Sequence, residues 1–147
     1  MSGSELSSQF NPIPTIVLAD LDHQRAYVAE LLRASFPGTT LEGSNRDFAT
    51  LQRIVDAKII GPGEAWQLQA LGVVFGYALL GIVDGLSWCL VTDAFGTDPT
   101  LRFRQTTVQV NVLTMISKRV EDGQSFDVQE LADGVVDFIL NSATEYR

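Results

Sequence analysis

Residues 65–83 read AWQLQALGVVFGYALLGIV, nineteen residues without a charge. The run is too long for an ordinary strand, and its Ala, Leu, Gln and Trp content favours a helix over a β-branched strand. Gly61-Pro62-Gly63-Glu64 places a breaker and then a carboxylate at its start, where the N-terminal dipole favours negative charge. A buried central helix is therefore expected over 65–83, with the rest of the chain packed around it. On a helical wheel Ala65, Gln69, Gly72 and Gly76 fall along one stripe, while Trp66, Ala70, Val73, Val74 and Tyr77 lie on the other side. Each interior glycine costs roughly 1 kcal/mol relative to alanine, and close approach of another backbone to the small face is the usual compensation. Gly72-x-x-x-Gly76 also occurs in transmembrane helix dimers. Gln67 and Gln69 crowd the first two turns, however, and no basic cluster flanks either end, so a core helix is expected rather than a membrane span.

Upstream, MSGSELSSQFNPIP over residues 1–14 lacks a basic region followed by an apolar one, so no signal peptide is expected, and it reads as a flexible N-terminal arm. Residues 15–147 then form a single globular domain. A first helix is predicted from about Leu18 to Ala34, with Leu21, Val28, Leu31 and Leu32 inward, and Phe36-Pro37-Gly38 stops it. A second starts near Ser44 and turns Phe48, Leu51, Val55 and Ile59 inward, with Arg46, Arg53 and Lys58 on its other face.

Downstream of Gly85, Leu86–Thr92 is short, aromatic and β-branched. Asp93 to Pro99 reads as a loop of turn formers, and Thr100–Val110 as the pairing strand of a hairpin. The apolar phase shifts after Gln105, which predicts a bulge or a second short strand. Asn111 is a candidate cap for a helix carrying Val112, Ile116 and Val120, with Lys118 and Arg119 in its last turn and Gly123 after it. The final helix has the clearest start, an Asp127/Glu130 capping box inside a Phe126/Leu131 hydrophobic staple. Val128, Leu131, Val135 and Phe138 are predicted inward, with Glu130, Asp133 and Asp137 as a carboxylate stripe almost opposite. The expected class is α+β: three N-terminal helices, a small antiparallel hairpin or three-stranded sheet, and two C-terminal helices around helix 65–83.

The net charge of −8 argues against a nucleic-acid partner, which needs clustered Lys and Arg. Residues 100–120 hold four bases and no acid, and residues 121–147 hold seven acids and one base. An acidic end can simply solvate a protein, or can steer a basic partner to its surface.

Little in the sequence announces chemistry. His23 is the only histidine, beside Asp20 and Asp22, and makes a poor metal site alone. Ser87 and Ser117 carry no cue of an activated nucleophile. Asp93 with Asp98, and Glu121 with Asp122, read as turn and helix-end acids. Cys89, a lone cysteine in an apolar strand, reads as buried rather than reactive. No catalytic residue, cofactor or metal is therefore expected. Arg102, Arg104, Lys118 and Arg119 form the one basic cluster and are candidate anion-binding residues, unless they pair with nearby acids.

Several spaced blocks carry a resemblance: Leu51-Gln52-Arg53 with Asp56, Leu68 to Gly76, Trp88, Asp93, and Met115 to Gln124. Together, over residues 46–134, they resemble the bacterial domain-of-unknown-function family 3806. That resemblance implies a bacterial, cytoplasmic protein and brings no activity or catalytic residues with it. A proline is common in that family near the start of the Lys-Arg helix, where this chain has Asn111 and Val112.

Two functional expectations follow. The first is a non-catalytic interaction protein, a small acidic immunity protein that neutralises a toxin and binds a basic protein partner through Glu130, Asp133 and Asp137, without membrane or nucleic acid. The alternative is a small-molecule domain that grips an anionic ligand with the arginine and lysine cluster.

Overall fold

The computed structural model describes residues 9–144. Along the chain come β1 (Gln9–Asn11), α1 (Thr15–Ser35), α2 (Arg46–Asp56), α3 (Ala65–Ile82), β2 (Leu86–Asp93), β3 (Gly96–Phe103), β4 (Gln109–Val110), α4 (Met115–Glu121) and α5 (Val128–Ala143). The class is α+β, and the described residues form five helices and a four-stranded antiparallel sheet in the order β1-β2-β3-β4.

α3 is the core helix. By length and mean hydropathy, 1.4, it could cross a membrane, yet ten of its residues are buried within the protein. It packs against α1, α2 and α4 and touches β2. Its glycines are where those neighbours come closest. A Cβ on Gly72 would lie 2.6 Å from the carbonyl oxygens of Val112 and Leu113, and one on Gly76 would lie 2.8 Å from the Trp88 ring. The small face of the helix is thus filled by backbone on one side and by an indole on the other.

The sheet departs from expectation at its N-terminal edge. Gln9–Asn11 pairs with Leu90–Thr92, so part of the stretch read as an arm is a strand, while residues 1–8 lie outside the described residues. Phe10 sits under the Arg102 guanidinium, 4.0 Å from its ring centre, which gives this three-residue strand a side-chain anchor. The expected loop over 93–99 is instead a tight turn at Ala94-Phe95, because Asp93 Oδ1 accepts the Phe95 N–H at 2.8 Å and pairing resumes at Gly96. Pro99 is tolerated inside β3 because β4 reaches only Leu101 and Arg102, so no strand pairs with β3 on its far side at that point. The predicted break after Gln105 is the return from β3 to β4, closed by the Phe103 N–H to the Val108 carbonyl at 3.0 Å.

Helix boundaries shift in ways the local chemistry explains. α1 starts at Thr15 rather than Leu18, since the Pro14 carbonyl accepts the N–H groups of Val17 and Leu18, both at 3.0 Å. α2 ends at Asp56, which leaves Ile59 beyond it, and Ile54 takes the buried position. α4 starts at Met115, after a turn in which the Val112 carbonyl accepts the Met115 N–H at 3.2 Å, because the Val112-Leu113 backbone before it packs against Gly72. On α5 the buried stripe is Val128, Ala132, Val135 and Ile139, and Phe138, predicted inward, is 51% exposed. Ile139 continues the 128–132–135 spacing, and Phe138 falls one position to its side.

Candidate functional site

A cleft opens where two reversals of the chain meet. After α2, Lys58 adopts φ 53° and turns the chain toward buried Ile60. The Gly61 N–H then donates to Glu64 Oε2 at 2.6 Å, tying the Gly61-Pro62 segment to the start of α3. On the other side α4 ends at Glu121, Gly123 beyond it takes φ 68°, and the Gln124 N–H donates to the Arg119 carbonyl at 2.9 Å. The chain then enters α5, where Asp127 Oδ1 accepts the Glu130 N–H at 2.9 Å, the first half of the capping box.

Between these reversals lies a cleft of about 720 Å³. Ile54, Ile60, Leu68, Leu71, Val120 and Phe126 give it an apolar lining, and Asp56, Asp127 and Glu130 contribute carboxylates beside a single base, Lys58. The walls are held together by Gln52. Its Nε2 donates to Asp56 Oδ1 at 2.9 Å and to the Phe126 carbonyl at 3.3 Å, and its Oε1 accepts the Val128 N–H at 2.7 Å. The first of these hydrogen bonds orients the Asp56 carboxylate. Three carboxylates against one ammonium leave the cleft acidic over an apolar surface, which suits a ligand with a hydrophobic body and a positive end.

The predicted carboxylate stripe is divided. Glu130 lines the cleft, whereas Asp133 and Asp137 are exposed further along α5, and Gln129 Nε2 donates to Asp133 Oδ1 at 3.0 Å. The basic cluster is engaged piecemeal. Arg102 donates through Nε to the Thr106 carbonyl at 2.7 Å and through Nη2 to that of Gln105 at 3.2 Å, besides covering Phe10. Arg104, with φ 50°, lies over its neighbour Phe103, and Arg119 Nη1 donates to the Met115 carbonyl at 2.8 Å. Lys118 is exposed on α4, and none of the four lines the cleft.

The other candidates have local roles. His23 meets the Trp66 ring edge-on at 6.1 Å, Ser117 is buried in α4, and Asp93 holds its turn. Among the described residues no group of three His, Cys, Asp or Glu could hold a metal ion. Burial raises the pKa of Cys89 above its ordinary value, with Arg102 partly opposing. Burial likewise raises Tyr77, with Asp22 adding to the rise and Arg25, 3.8 Å above the ring, working against it. The cleft itself was not read from the sequence. Its only traces there are the breakers Gly61-Pro62 and Gly123, and nothing in their spacing says that they face each other.

The model of DUF3806, a domain of unknown function, matches residues 47–131, close to the 46–134 span of the resemblance. Every residue lining the cleft, from Ile54 to Glu130, lies within that segment. Among curated proteins none matches the chain. A crystal structure of a Bacteroides thetaiotaomicron VPI-5482 protein shares the fold, with a TM-score of 0.79 and 18% sequence identity over 93% of this chain. The chain spans 50% of that protein's length.

Proposed function

This chain belongs to the DUF3806 family, and we propose that it is a non-catalytic, acidic binding module whose cleft receives a basic, partly apolar segment of another protein. The observation that carries this reading is the cleft's composition, an apolar lining with three carboxylates and one lysine, built wholly from the segment that matches the family. Apolar contact supplies affinity, and the carboxylates supply orientation and steer a basic partner during encounter. Neutralisation of a basic toxin domain by a cytoplasmic immunity protein is the biological setting we favour. It needs an acidic surface that covers its target and no chemistry of its own.

The test is capture from a bacterial lysate with the tagged chain, in parallel with the double variant Asp56→Lys, Glu130→Lys. The expected result is one stoichiometric partner of high isoelectric point, retained by the native chain at low salt and lost to the variant, while the thermal melts of the two proteins agree. A partner bound equally by both would place binding outside the cleft and end this reading.

A further inference from the structure

A second groove, of about 440 Å³, runs beside the first along α5. Leu131, Gly134 and Phe138 form its α5 side, with Met115 and the end of β4 opposite, and Glu130 lines both groove and cleft. The two hollows therefore adjoin at that carboxylate. Phe138 leaves half of its surface uncovered there.

Gly134 is the telling residue. A glycine inside a helix costs roughly 1 kcal/mol relative to alanine, and in α3 that cost has an internal reason. A Cβ at Gly72, Gly76 or Gly81 would collide with neighbouring atoms. At Gly134 a Cβ would meet nothing within 4 Å, and the residue does not use a left-handed backbone. No neighbour within the fold requires it. It stands between Leu131 and Phe138 on the face that borders the groove, where a missing side chain lets an external helix approach closely.

We propose that this face docks an amphipathic helix of the same partner, apolar toward Leu131, Gly134 and Phe138 and bearing Lys or Arg along its edges. The inference rests on the reading of the cleft as the site for a basic protein. Charge selects the occupant. Glu130, Asp133 and Asp137 are exposed on α5, which carries no Lys, Arg or His, so a second copy packed α5 against α5 would set like charges against each other, whereas a basic helix would neutralise them. From Asp127 to Phe138 the helix rises roughly 16 Å, so three turns of a crossing helix fit along it.

The test uses the full chain, labelled with nitrogen-15, and a model helical peptide of about four turns with leucine on one face and lysine on the other. A leucine/glutamate peptide of the same pattern is the control. The expected result is amide shifts along Glu130–Phe138 as well as around Lys58–Gly61, with no response to the control. Gly134→Leu should weaken binding about tenfold and remove the α5 shifts while sparing those in the cleft. Gly134→Ala, which strengthens the helix, should give a smaller loss and guards against misfolding of the larger variant. Shifts confined to the cleft, indifferent to Gly134→Leu, would overturn this inference and leave the cleft reading standing. An absence of shifts anywhere would remove both. Equal binding of the acidic peptide, or a dimer of the free chain in sedimentation that Gly134→Leu dissolves, would refute the basic helix as occupant.

Discussion

The Gln52 side chain holds the backbone of Val128, accepting its N–H at 2.7 Å, although the two residues lie on different helices far apart in sequence. The same amide donates to the Phe126 carbonyl at 3.3 Å, so one side chain serves both sides of the turn into α5. Replacing Gln52 with leucine keeps much of its volume and leaves the Val128 N–H, on a fully buried residue, without its acceptor. The expected loss is about 1–3 kcal/mol, read from urea unfolding. Faster amide exchange at Val128 should accompany it, and the cleft, which shares this wall, should lose ligand affinity.

Gly72 and Gly134 should respond to alanine with opposite signs. A Cβ at Gly72 would fall 2.6 Å from two carbonyl oxygens, so Gly72→Ala must push α3 away from the Val112-Leu113 segment, at a cost of about 1–3 kcal/mol. Gly134→Ala meets open space and should stabilise the free chain by roughly 1 kcal/mol. Thermal melts of the two variants and the native chain measure both.

Asp47 is buried and accepts two backbone N–H groups, from Glu42 at 2.9 Å and Gly43 at 2.8 Å. It fixes the loop that rests against α3, where a Cβ on Gly81 would collide with the Gly43 carbonyl oxygen. Asp47→Ala leaves both donors unpaired and should cost about 2–3 kcal/mol, and Asp47→Asn, which keeps an acceptor oxygen, distinctly less. Denaturant midpoints of the two variants separate lost hydrogen bonding from lost shape.

Stability should fall at high pH. Tyr77 and Cys89 both have raised pKa values in the folded chain, chiefly through burial, so over the alkaline range the native state holds protons that the unfolded chain has released. Unfolding free energy is then insensitive to these groups near neutrality and declines as pH climbs past the ordinary thiol and phenol values, roughly 8.5 and 10. Urea midpoints from pH 7 to 11 would show the decline. Tyr77→Phe should flatten its upper part. At neutral pH the Cys89 thiol should react slowly with a disulfide reagent until the chain unfolds.

The parts of this protein that could be read from sequence are those whose cause is local. The start of α5 was legible because Asp127 and Glu130 are three residues apart, the spacing at which the Asp127 carboxylate accepts the Glu130 N–H, and α3 was legible because its apolar run has no competing interpretation as a strand. The small-faced glycines were legible as a need for close approach, though not as to what approaches. β1 was not, because Gln9–Asn11 has no pattern of its own and becomes a strand only when β2 offers an edge. Phe138 was misplaced because one residue separates the buried stripe from the groove face, and an apolar side chain suits either. The cleft depends on where two turns meet in space, a relation that no spacing along the chain expresses, and of the predicted site only Glu130 reaches it.

The pairing of β1 with β2 also governs time. Gln9 waits for Thr92, so the strand that emerges first must hold off until roughly 80 further residues exist, and the entropy of closing so long a loop delays its docking. During synthesis the outer edge of β2 therefore stands bare after the hairpin has formed. A strand of only three residues ends this exposure, and a chain lacking residues 9–11 should fold to nearly the same core yet aggregate more readily while doing so.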